Sequence, residues 1–244
     1  MIRKYGWHRS NKDLRDNLYL NIRPDIVLPE IVDLRPKCSP VFDQGELGSC
    51  TANALIGAME FNELREGQPL IPLSRLFLYF NERNLEDSVD YDSGASLRDG
   101  IKSLNKQGVC SEEDWPYVEA NFTFPPTLRC YDDAIAHEIS SYHGLITLKD
   151  MQTCLAEGYP FVCGISVYES MESEVVKNTG KVPMPSWDEH CLGGHAMCAV
   201  GYELKKQVFI VRNSWGVDWG MSGYCEIPFE YIKQLGDDFW VIHQ

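Results

Sequence analysis

The stretch DQGELGSCTANALIGAMEFNELREG, residues 43–67, joins a turn to a helical pattern. After Ser49, apolar residues recur at the spacing of one helix face: Ala54, Leu55, Ala58, Met59 and Phe61. This spacing predicts a buried helix that begins at or next to Cys50, and Gly67 is a plausible end for it. The sequence therefore predicts a cysteine at a helix N-terminus, directly after a Gly-Ser turn.

That position favours a thiolate at Cys50. The first N–H groups of a helix have no helical partner, and they carry the positive end of the helix dipole. A thiolate is the reactive form of cysteine, and such placement can lower the pKa of a thiol by several units. A free cysteine is also commonly a small buried apolar residue. The position alone leaves the catalytic and the structural interpretation open.

Further helices are predicted over residues 73–86, where Ser74 is the cap, between Ser96 and Gly108, and over residues 148–158. Short β-rich segments follow, at residues 160–168, 195–203, 207–215 and 223–230. Because most helices precede the strands, we expect an α+β fold with a helical lobe and a sheet lobe. A ligand site is expected in the cleft between two such lobes.

Two residues of the strand-rich half have side chains suited to thiol chemistry. His195, at the head of a predicted strand, could take up the thiol proton and return it to a leaving amine. Asn213 could accept a hydrogen bond from the imidazole and fix its tautomer, with Trp215 and Trp219 covering that bond. Taken singly, each residue is equally compatible with a structural role.

Three segments, taken in chain order, form a more specific pattern: QGELGSC at 44–50, GGHAM at 193–197 and VRNSWGVDWGMSGY at 211–224. Together they resemble the papain (C1) family of cysteine peptidases, as do LPEIVDLR at 28–35 and GVCSEEDWPY at 108–117. Cys50 and His195 lie 145 residues apart, within the ~130–150 residues given for this family. The resemblance covers roughly residues 28–230.

The resemblance implies a papain-like two-lobed fold, with a helical lobe, a barrel-like sheet lobe and the active-site cleft between them. We therefore expect an N-terminal arm at 1–28 and a peptidase domain at 29–244. Within that domain we expect the helical lobe at about 40–130, the sheet lobe at about 131–230 and a C-terminal tail at 231–244.

The resemblance also implies roles for individual residues. Cys50 would be the nucleophile, His195 the general base and acid, Asn213 the residue that orients His195, and Gln44 a donor to the oxyanion. The expected substrate-binding residues are Gly94, Ala95, Ala196 and Trp215. We expect hydrolysis of peptide bonds, with an endopeptidase favoured and an exopeptidase left open, and neither a metal nor an organic cofactor.

The chain departs from the family pattern around the nucleophile. Leu47 stands where the family has a half-cystine, and Thr51 stands where it has a tryptophan. Gly194 precedes His195 where many members have Asp or Asn. None of these changes removes a catalytic atom, but with Thr51 in place of the tryptophan we expect a more open cleft wall.

Residues 1–28 are too short to form the family's usual helical propeptide. They carry six basic and three acidic residues, a net charge of +3 on a chain whose total is −14. Candidate apolar anchors are Tyr5, Trp7, Leu14, Leu18 and Tyr19. Our hypothesis is that this arm docks in the cleft and is autoinhibitory, the alternative being a solvated terminus.

Composition limits the partners and the compartment. The 244 residues are 44% hydrophobic, and their net charge of −14 disfavours a nucleic-acid partner. No run of about 18 apolar residues is present, so we expect no membrane segment. The nine scattered cysteines, with no secretory signal in view, predict reduced thiols and a cytoplasmic or other reducing compartment.

Three alternative interpretations remain. One is a zinc site built from His190, Cys191, His195 and Cys198, whose spacing does not match standard motifs. A second is a catalytically inactive papain-like binding protein. A third keeps the acyl-enzyme chemistry but changes the acceptor, as in an amidase, a transpeptidase or a peptide ligase.

Overall fold

A computed structural model describes residues 4–11, 13, 15–19 and 26–244. The expected anchor Leu14, and the charged residues Arg3, Lys12, Arg23 and Asp25 of the arm, lie outside the described residues. Within them, the helices are α1 (Cys50–Arg65), α2 (Arg75–Leu85), α3 (Leu97–Gln107), α4 (Leu128–Ala134), α5 (Leu148–Ala156), α6 (Glu174–Thr179) and α7 (Phe229–Leu235). The strands are β1 (Ile31–Asp33), β2 (Ser141–Gly144), β3 (Phe161–Tyr168), β4 (Cys191–Glu203), β5 (Val208–Arg212), β6 (Tyr224–Pro228) and β7 (Gly236–His243).

The expected helix boundaries agree with the structure. α1 begins at Cys50, and Gly67 follows its end with a positive φ of 81°. The Ser74 hydroxyl accepts a hydrogen bond from the Phe77 N–H at the start of α2. The Ser96 hydroxyl caps α3 in the same way. Each of these caps satisfies one of the backbone N–H groups that a helix leaves unpaired.

The strands form one antiparallel sheet in the order β2-β7-β3-β4-β5-β6, with β1 paired to β4. Successive residues of β4 alternate between two hydrophobic clusters. Ala196 and Cys198 face the helical lobe, and Met197 and Ala199 face the cluster within the sheet lobe. The strand that carries His195 therefore joins both cores, and the fold is α+β with two lobes, as expected.

Residues 231–244, expected as a C-terminal tail, belong to the sheet lobe instead. They complete α7 and form β7, which lies between β2 and β3 in the sheet. Trp240 and Ile242 pack with the helical lobe, whereas Val241 packs in the other cluster. Strand β7 was not predicted, because its apolar residues follow three residues of loop-like composition, Gly236, Asp237 and Asp238. Among the described residues, no helix has the length and apolarity needed to cross a membrane.

Helix α1 passes through the molecule with almost all of its side chains buried. A helix that is covered on all sides needs partners for its polar residues as well. The Glu60 carboxylate accepts from the Leu73 N–H at 2.9 Å, and the Asn62 amide donates to the Ile242 carbonyl at 2.9 Å. Because α1 also packs against β4, its first residue lies next to the strand that carries His195.

Candidate active site

Cys50 is the first residue of α1, and its side chain is fully buried. Backbone N–H groups of Ala196, Gly6 and Thr51 hydrogen-bond to its sulfur. Burial nevertheless raises the pKa of the Cys50 thiol to about 11, because these three contacts compensate only in part for the loss of solvent. In this structure, desolvation therefore outweighs the lowering of the pKa that we expected from the helix N-terminus.

His195 lies on β4 and is held by Asn213. The imidazole Nε2 is 2.8 Å from Asn213 Oδ1, and the Ser214 N–H donates to the same oxygen at 2.8 Å. Since a backbone N–H needs an acceptor, the atom facing both groups is the amide oxygen. Nε2 must then carry the proton, which leaves Nδ1 of a neutral His195 as the basic nitrogen.

Two tryptophans cover the hydrogen bond between His195 and Asn213. The Trp215 ring stacks on the imidazole, with centroids 4.7 Å apart and an interplanar angle of 25°. Trp219 meets Trp215 edge to face at 5.0 Å, and both tryptophans are buried. The bond therefore lies in a site from which water is excluded, where hydrogen bonds to an ionising group are strengthened.

Gln44 is also buried, in the turn before α1. Its amide nitrogen donates to the Leu47 carbonyl at 2.9 Å, and its amide oxygen accepts from the Ser214 hydroxyl at 2.6 Å. The Gln44 N–H donates to the Ser214 carbonyl at 2.9 Å. The side chain is thus fixed between the turn before Cys50 and the segment that carries Asn213.

The arm lies in the cleft between the lobes and crosses the active site. Ala95 N–H donates to the Gly6 carbonyl at 2.7 Å, and His8 N–H donates to the Ala95 carbonyl at 3.2 Å. On the opposite wall, Trp7 N–H donates to the Gly194 carbonyl at 3.0 Å. The arm is therefore bound through its backbone to both lobes.

The arm's anchors differ in depth. Trp7 is 7% exposed and belongs to the helical-lobe cluster, and the Tyr5 ring meets His195 edge to face at 6.3 Å. Tyr19 is half-buried, and its hydroxyl hydrogen-bonds to Glu157. Leu18 is 47% exposed, so its expected role as an apolar anchor is wrong. Its backbone pairs with Gly144, and about half of its side chain is exposed.

Ion pairs contribute to docking of the arm, but they are not only pairs between basic residues of the arm and acidic residues of the body. Lys4 and Arg9 pair with Asp92 and Asp237 of the body, at 2.8 and 3.4 Å. The best-buried pairing has the opposite sense: Arg98 of the body binds Asp13 and Asp16 of the arm, at 2.8 and 2.7 Å. Individual contacts, rather than the total of +3, thus determine how the arm is held.

The expected substrate-binding residues divide between the walls of the cleft. Ala95 hydrogen-bonds to the backbone of the arm through both its N–H and its carbonyl. Gly94 has a φ of +73°, and a Cβ on it would lie 1.9 Å from the Gly6 carbonyl oxygen, so a larger residue would block this path. Ala196 contributes its N–H to the Cys50 sulfur, and the Trp215 ring stacks on His195.

A comparison with protein families agrees with this arrangement. The model of the papain family of cysteine proteases matches residues 28–236. The chain belongs to the papain family. It is thus a cysteine peptidase, a hydrolase that acts on protein or peptide substrates.

Three known proteins match almost the entire length of this papain-family chain. An uncharacterized peptidase C1-like protein, L477, of Acanthamoeba polyphaga mimivirus is 39% identical, over 99% of this chain and 87% of its own. The crystal structure of xylellain, a cysteine protease from Xylella fastidiosa, is 41% identical with a TM-score of 0.93, covering 100% of this chain and 98% of its own. Procathepsin B S9 from Trypanosoma congolense shares the fold, with 19% identity, a TM-score of 0.77 and coverage of 97% and 84%.

The departures from the papain-family pattern are accommodated by packing. Leu47, in place of a half-cystine, is buried at 5% exposure. Each of the nine cysteines lies within the described residues, and all of them are free thiols. Thr51, in place of a tryptophan, donates its hydroxyl to the buried Glu82 carboxyl at 2.7 Å, and burial raises the pKa of Glu82 well above its usual value.

Several residues around the site were not found from the sequence. Asp92 accepts from the Gly48 N–H at 3.0 Å and from the Tyr79 hydroxyl, so it fixes the turn before Cys50. Asp238 accepts from the Trp7 indole and from the Ser10 N–H, at 3.2 and 2.8 Å. Neither acid lies in a motif, and both act on residues more than ten positions away or on the other lobe.

The zinc alternative is not supported by the geometry. Cys191 is exposed at the start of β4, whereas Cys198 lies in the core on the opposite face of the strand from His195. Among the described residues, no group of three or more His, Cys, Asp or Glu is placed to hold a metal ion.

Proposed function

We propose that Cys50 is the nucleophile of this peptidase and that His195 is its general base and acid. The observation that carries the proposal is the pair of hydrogen bonds to Asn213 Oδ1, from His195 Nε2 and the Ser214 N–H. They leave Nδ1 of His195 as the basic nitrogen. The Ala196 N–H on the sulfur supports the pairing, because it holds the thiol next to the residue that follows His195.

The reaction follows from these roles. The Cys50 thiol transfers its proton to His195 Nδ1, and the sulfur attacks the scissile carbonyl carbon. The tetrahedral intermediate collapses as the imidazolium gives that proton to the leaving amine, which leaves a thioester. His195 then takes a proton from water, whose oxygen attacks the thioester, and the carboxylic acid leaves while the proton returns to the sulfur.

The negative oxygen of both intermediates needs donors. We assign this role to the Gln44 side-chain amide and the Cys50 N–H. Gln44 is suited to it because Leu47 and Ser214 fix both ends of its amide group, so no reorientation is needed when charge develops. Gln44→Ala should lower kcat by a factor of ~10²–10³, the usual effect of losing one such donor.

The test of the nucleophile compares two thiols of the same chain. Cys50→Ala should abolish turnover of a fluorogenic peptide, whereas Cys191→Ala, which removes an exposed thiol, should leave turnover unchanged. His195→Ala should be as severe as Cys50→Ala, because the two residues act as a unit. Activity that survives Cys50→Ala would exclude the proposed mechanism.

We also propose that residues 1–28 inhibit the enzyme by occupying its cleft. The Gly6 N–H hydrogen-bonds to the Cys50 sulfur, at the place where a substrate would present a carbonyl carbon for attack. The direction of the arm is also unproductive. Tyr5 lies at His195, which must protonate the leaving amine, so Trp7 lies on the acyl side. A substrate has its N-terminal part on the acyl side, and the arm therefore runs in the opposite direction.

Removal of the arm should relieve this inhibition. A variant that begins at Pro29 should hydrolyse a fluorogenic peptide faster than the full chain, at equal concentrations of folded protein. A synthetic peptide of residues 4–19 added to that variant should inhibit it, and a scrambled peptide of the same composition should not. Equal activity with and without the arm would contradict the inhibitory role.

A reducing compartment remains our proposal for where the enzyme acts. Nine free thiols, one of them the nucleophile, would be sensitive to oxidation in an oxidising compartment. Activity of the variant that begins at Pro29 should therefore fall after treatment with hydrogen peroxide and return, at least in part, with dithiothreitol. Undiminished activity after peroxide would count against the proposal.

A further inference from the structure

The turn before α1 separates the two groups that we assigned to the oxyanion. The Gln44 amide stands at its start, and the Cys50 N–H follows directly after Ser49, at its end. Donors stabilise a developing negative charge only if their positions are fixed before the reaction begins. The contacts that hold the two ends of this turn together are therefore relevant to catalysis.

The Tyr117 hydroxyl contacts both ends of the turn. It donates to the Gln44 carbonyl at 2.9 Å, and its oxygen lies 2.5 Å from the Ser49 hydroxyl oxygen. A carbonyl can only accept, so the single proton of Tyr117 belongs to the bond with Gln44. The Ser49 hydroxyl must then donate to the Tyr117 oxygen. One phenol oxygen thus bridges residue 44 and the residue that precedes the nucleophile.

The bridge continues into α1 and α2. The Asn53 amide nitrogen donates to the Ser49 carbonyl at 2.9 Å and to its hydroxyl oxygen at 3.0 Å. Arg75 Nη1 donates to Asn53 Oδ1 and to the Asp43 carbonyl, both at 3.1 Å. The Arg75 guanidinium also lies over the Tyr117 ring, 4.0 Å from its centroid. Each hydroxyl in this chain both donates and accepts, an arrangement in which neighbouring hydrogen bonds strengthen one another.

Tyr117 itself is held by the segment between α3 and α4. Its backbone N–H donates to the Glu112 carboxylate at 2.7 Å. Burial raises the pKa of the Tyr117 hydroxyl to about 12, so the group keeps its proton at neutral pH and well above it. The donor to the Gln44 carbonyl is therefore present wherever Cys50 and His195 can react.

We propose that Tyr117 is a positioning residue of this peptidase, whose hydroxyl holds Gln44 and the Cys50 N–H at the separation that the oxyanion requires. This inference rests on the function proposed above. Tyr117 acts through the two donors, so its loss should slow the steps in which the negative oxygen forms. Substrate binding and the nucleophilicity of the thiol should change little.

The experiment uses the full chain with Trp7→Ala, which weakens docking of the arm. An arm that competes with substrate raises the apparent KM but not kcat, so kcat at saturating substrate reports on the chemistry. Tyr117→Phe removes only the hydroxyl and should lower kcat by about tenfold, less than the loss of a donor itself. KM should change by less than about twofold.

The matched control is Tyr231→Phe in the same chain. It removes another tyrosine hydroxyl, which donates to the Ser166 carbonyl at 2.7 Å in the sheet lobe. This variant should leave kcat unchanged, and urea unfolding should show that both variants fold. Ser49→Ala removes the other end of the bridge and should lower kcat in the same direction, so the role can be tested even if Tyr117→Phe does not fold.

Two further measurements separate positioning from a general loss of structure. In a chain that also carries Gln44→Ala, the effect of Tyr117→Phe on kcat should shrink to less than about threefold, because one of the two donors is already lost. Alkylation of Cys50 by iodoacetamide, after subtraction of the rate in Cys50→Ala, should be the same with and without the Tyr117 hydroxyl. This reaction displaces iodide from a saturated carbon and forms no oxyanion.

An unchanged kcat in Tyr117→Phe, or a loss of the same size with and without Gln44, would overturn the positioning role and leave the peptidase mechanism intact. Alkylation that slows as much as kcat would also overturn it, since Tyr117 would then act on the thiol. An unchanged kcat in Gln44→Ala alone would instead contradict the oxyanion assignment of the proposed function.

Discussion

Two buried tryptophans cover the active site, and they differ in how they are attached to the protein. Trp215, 5% exposed, lies in a segment that is bound to residues 42–44 through the Asp43 bridge and the Gly216 N–H. Trp7, 7% exposed, is equally buried but lies on the arm, held by three backbone hydrogen bonds and by Asp238. Equal burial therefore does not mean equal function: in our proposal, one cover protects the chemistry and the other controls access to it.

The first prediction tests what Trp215 contributes to the stability of the fold and to catalysis. Trp215→Ala should lower the free energy of unfolding by about 3–5 kcal/mol, as expected for truncating a buried tryptophan, and should also lower kcat because water reaches the bond between His195 and Asn213. Urea unfolding and kinetics on the variant that begins at Pro29 would measure both. Trp219→Phe keeps an aromatic ring and should be much milder. An unchanged kcat in Trp215→Ala would show that the cover has no part in catalysis.

The second prediction concerns the thiol under the arm. With a Cys50 pKa of about 11, the thiolate is a very small fraction at pH 7 and increases as the pH rises toward that value. Removal of the arm reduces the desolvation and should lower the pKa. Alkylation of Cys50 by iodoacetamide at pH 7 should then accelerate by about 10²-fold, the ratio set by a return toward the ordinary cysteine pKa of about 8.5.

The control for this measurement is Cys50→Ala, which gives the background alkylation of exposed Cys191. The pH profile gives the sign: the alkylation rate of the full chain should still increase between pH 8 and pH 10, and that of the variant that begins at Pro29 should level off at lower pH. Identical profiles would mean that the arm does not determine the state of the thiol.

The third prediction is a gain of activity, whereas the first is a loss. Trp7→Ala should raise the activity of the full chain by roughly tenfold to a hundredfold, because the indole is the most buried apolar side chain among the described residues of the arm. Leu18→Ala is the matched control: it removes a side chain of the same arm that is 47% exposed, and it should change little. If both substitutions had equal effects, the Trp7 side chain would not be the main anchor of the arm.

The smallest effect is expected at the arm's surface. Lys4→Ala breaks an ion pair with Asp92 in which the lysine is 56% exposed, and exposed pairs contribute at most about 1 kcal/mol. Activity of the full chain should rise by less than about fivefold, and the rise should shrink at high salt, which screens such pairs. A larger effect, independent of salt, would show that Lys4 acts through something other than charge.

Much of the fold could be predicted locally. The starts of α1, α2 and α3 followed from apolar spacing and from cap residues such as Ser74 and Ser96, because these signals lie within a few residues of each helix end. Strand β7 was missed, since its position between β2 and β3 depends on pairing with segments far away in the chain. Propensity within one segment carries no information on such partners.

The sequence by itself indicated a papain-family peptidase. The residues that did so are Cys50, which follows a Gly-Ser turn, and His195 and Asn213, which follow it in the expected order. Only the tertiary structure decided the state of that chemistry. Burial raises the pKa of Cys50, and the Trp7 indole lies against Gly164 and donates to Asp238. The physical reason is that residue types and short spacings are written along the chain, whereas desolvation and cavities arise only where distant segments meet.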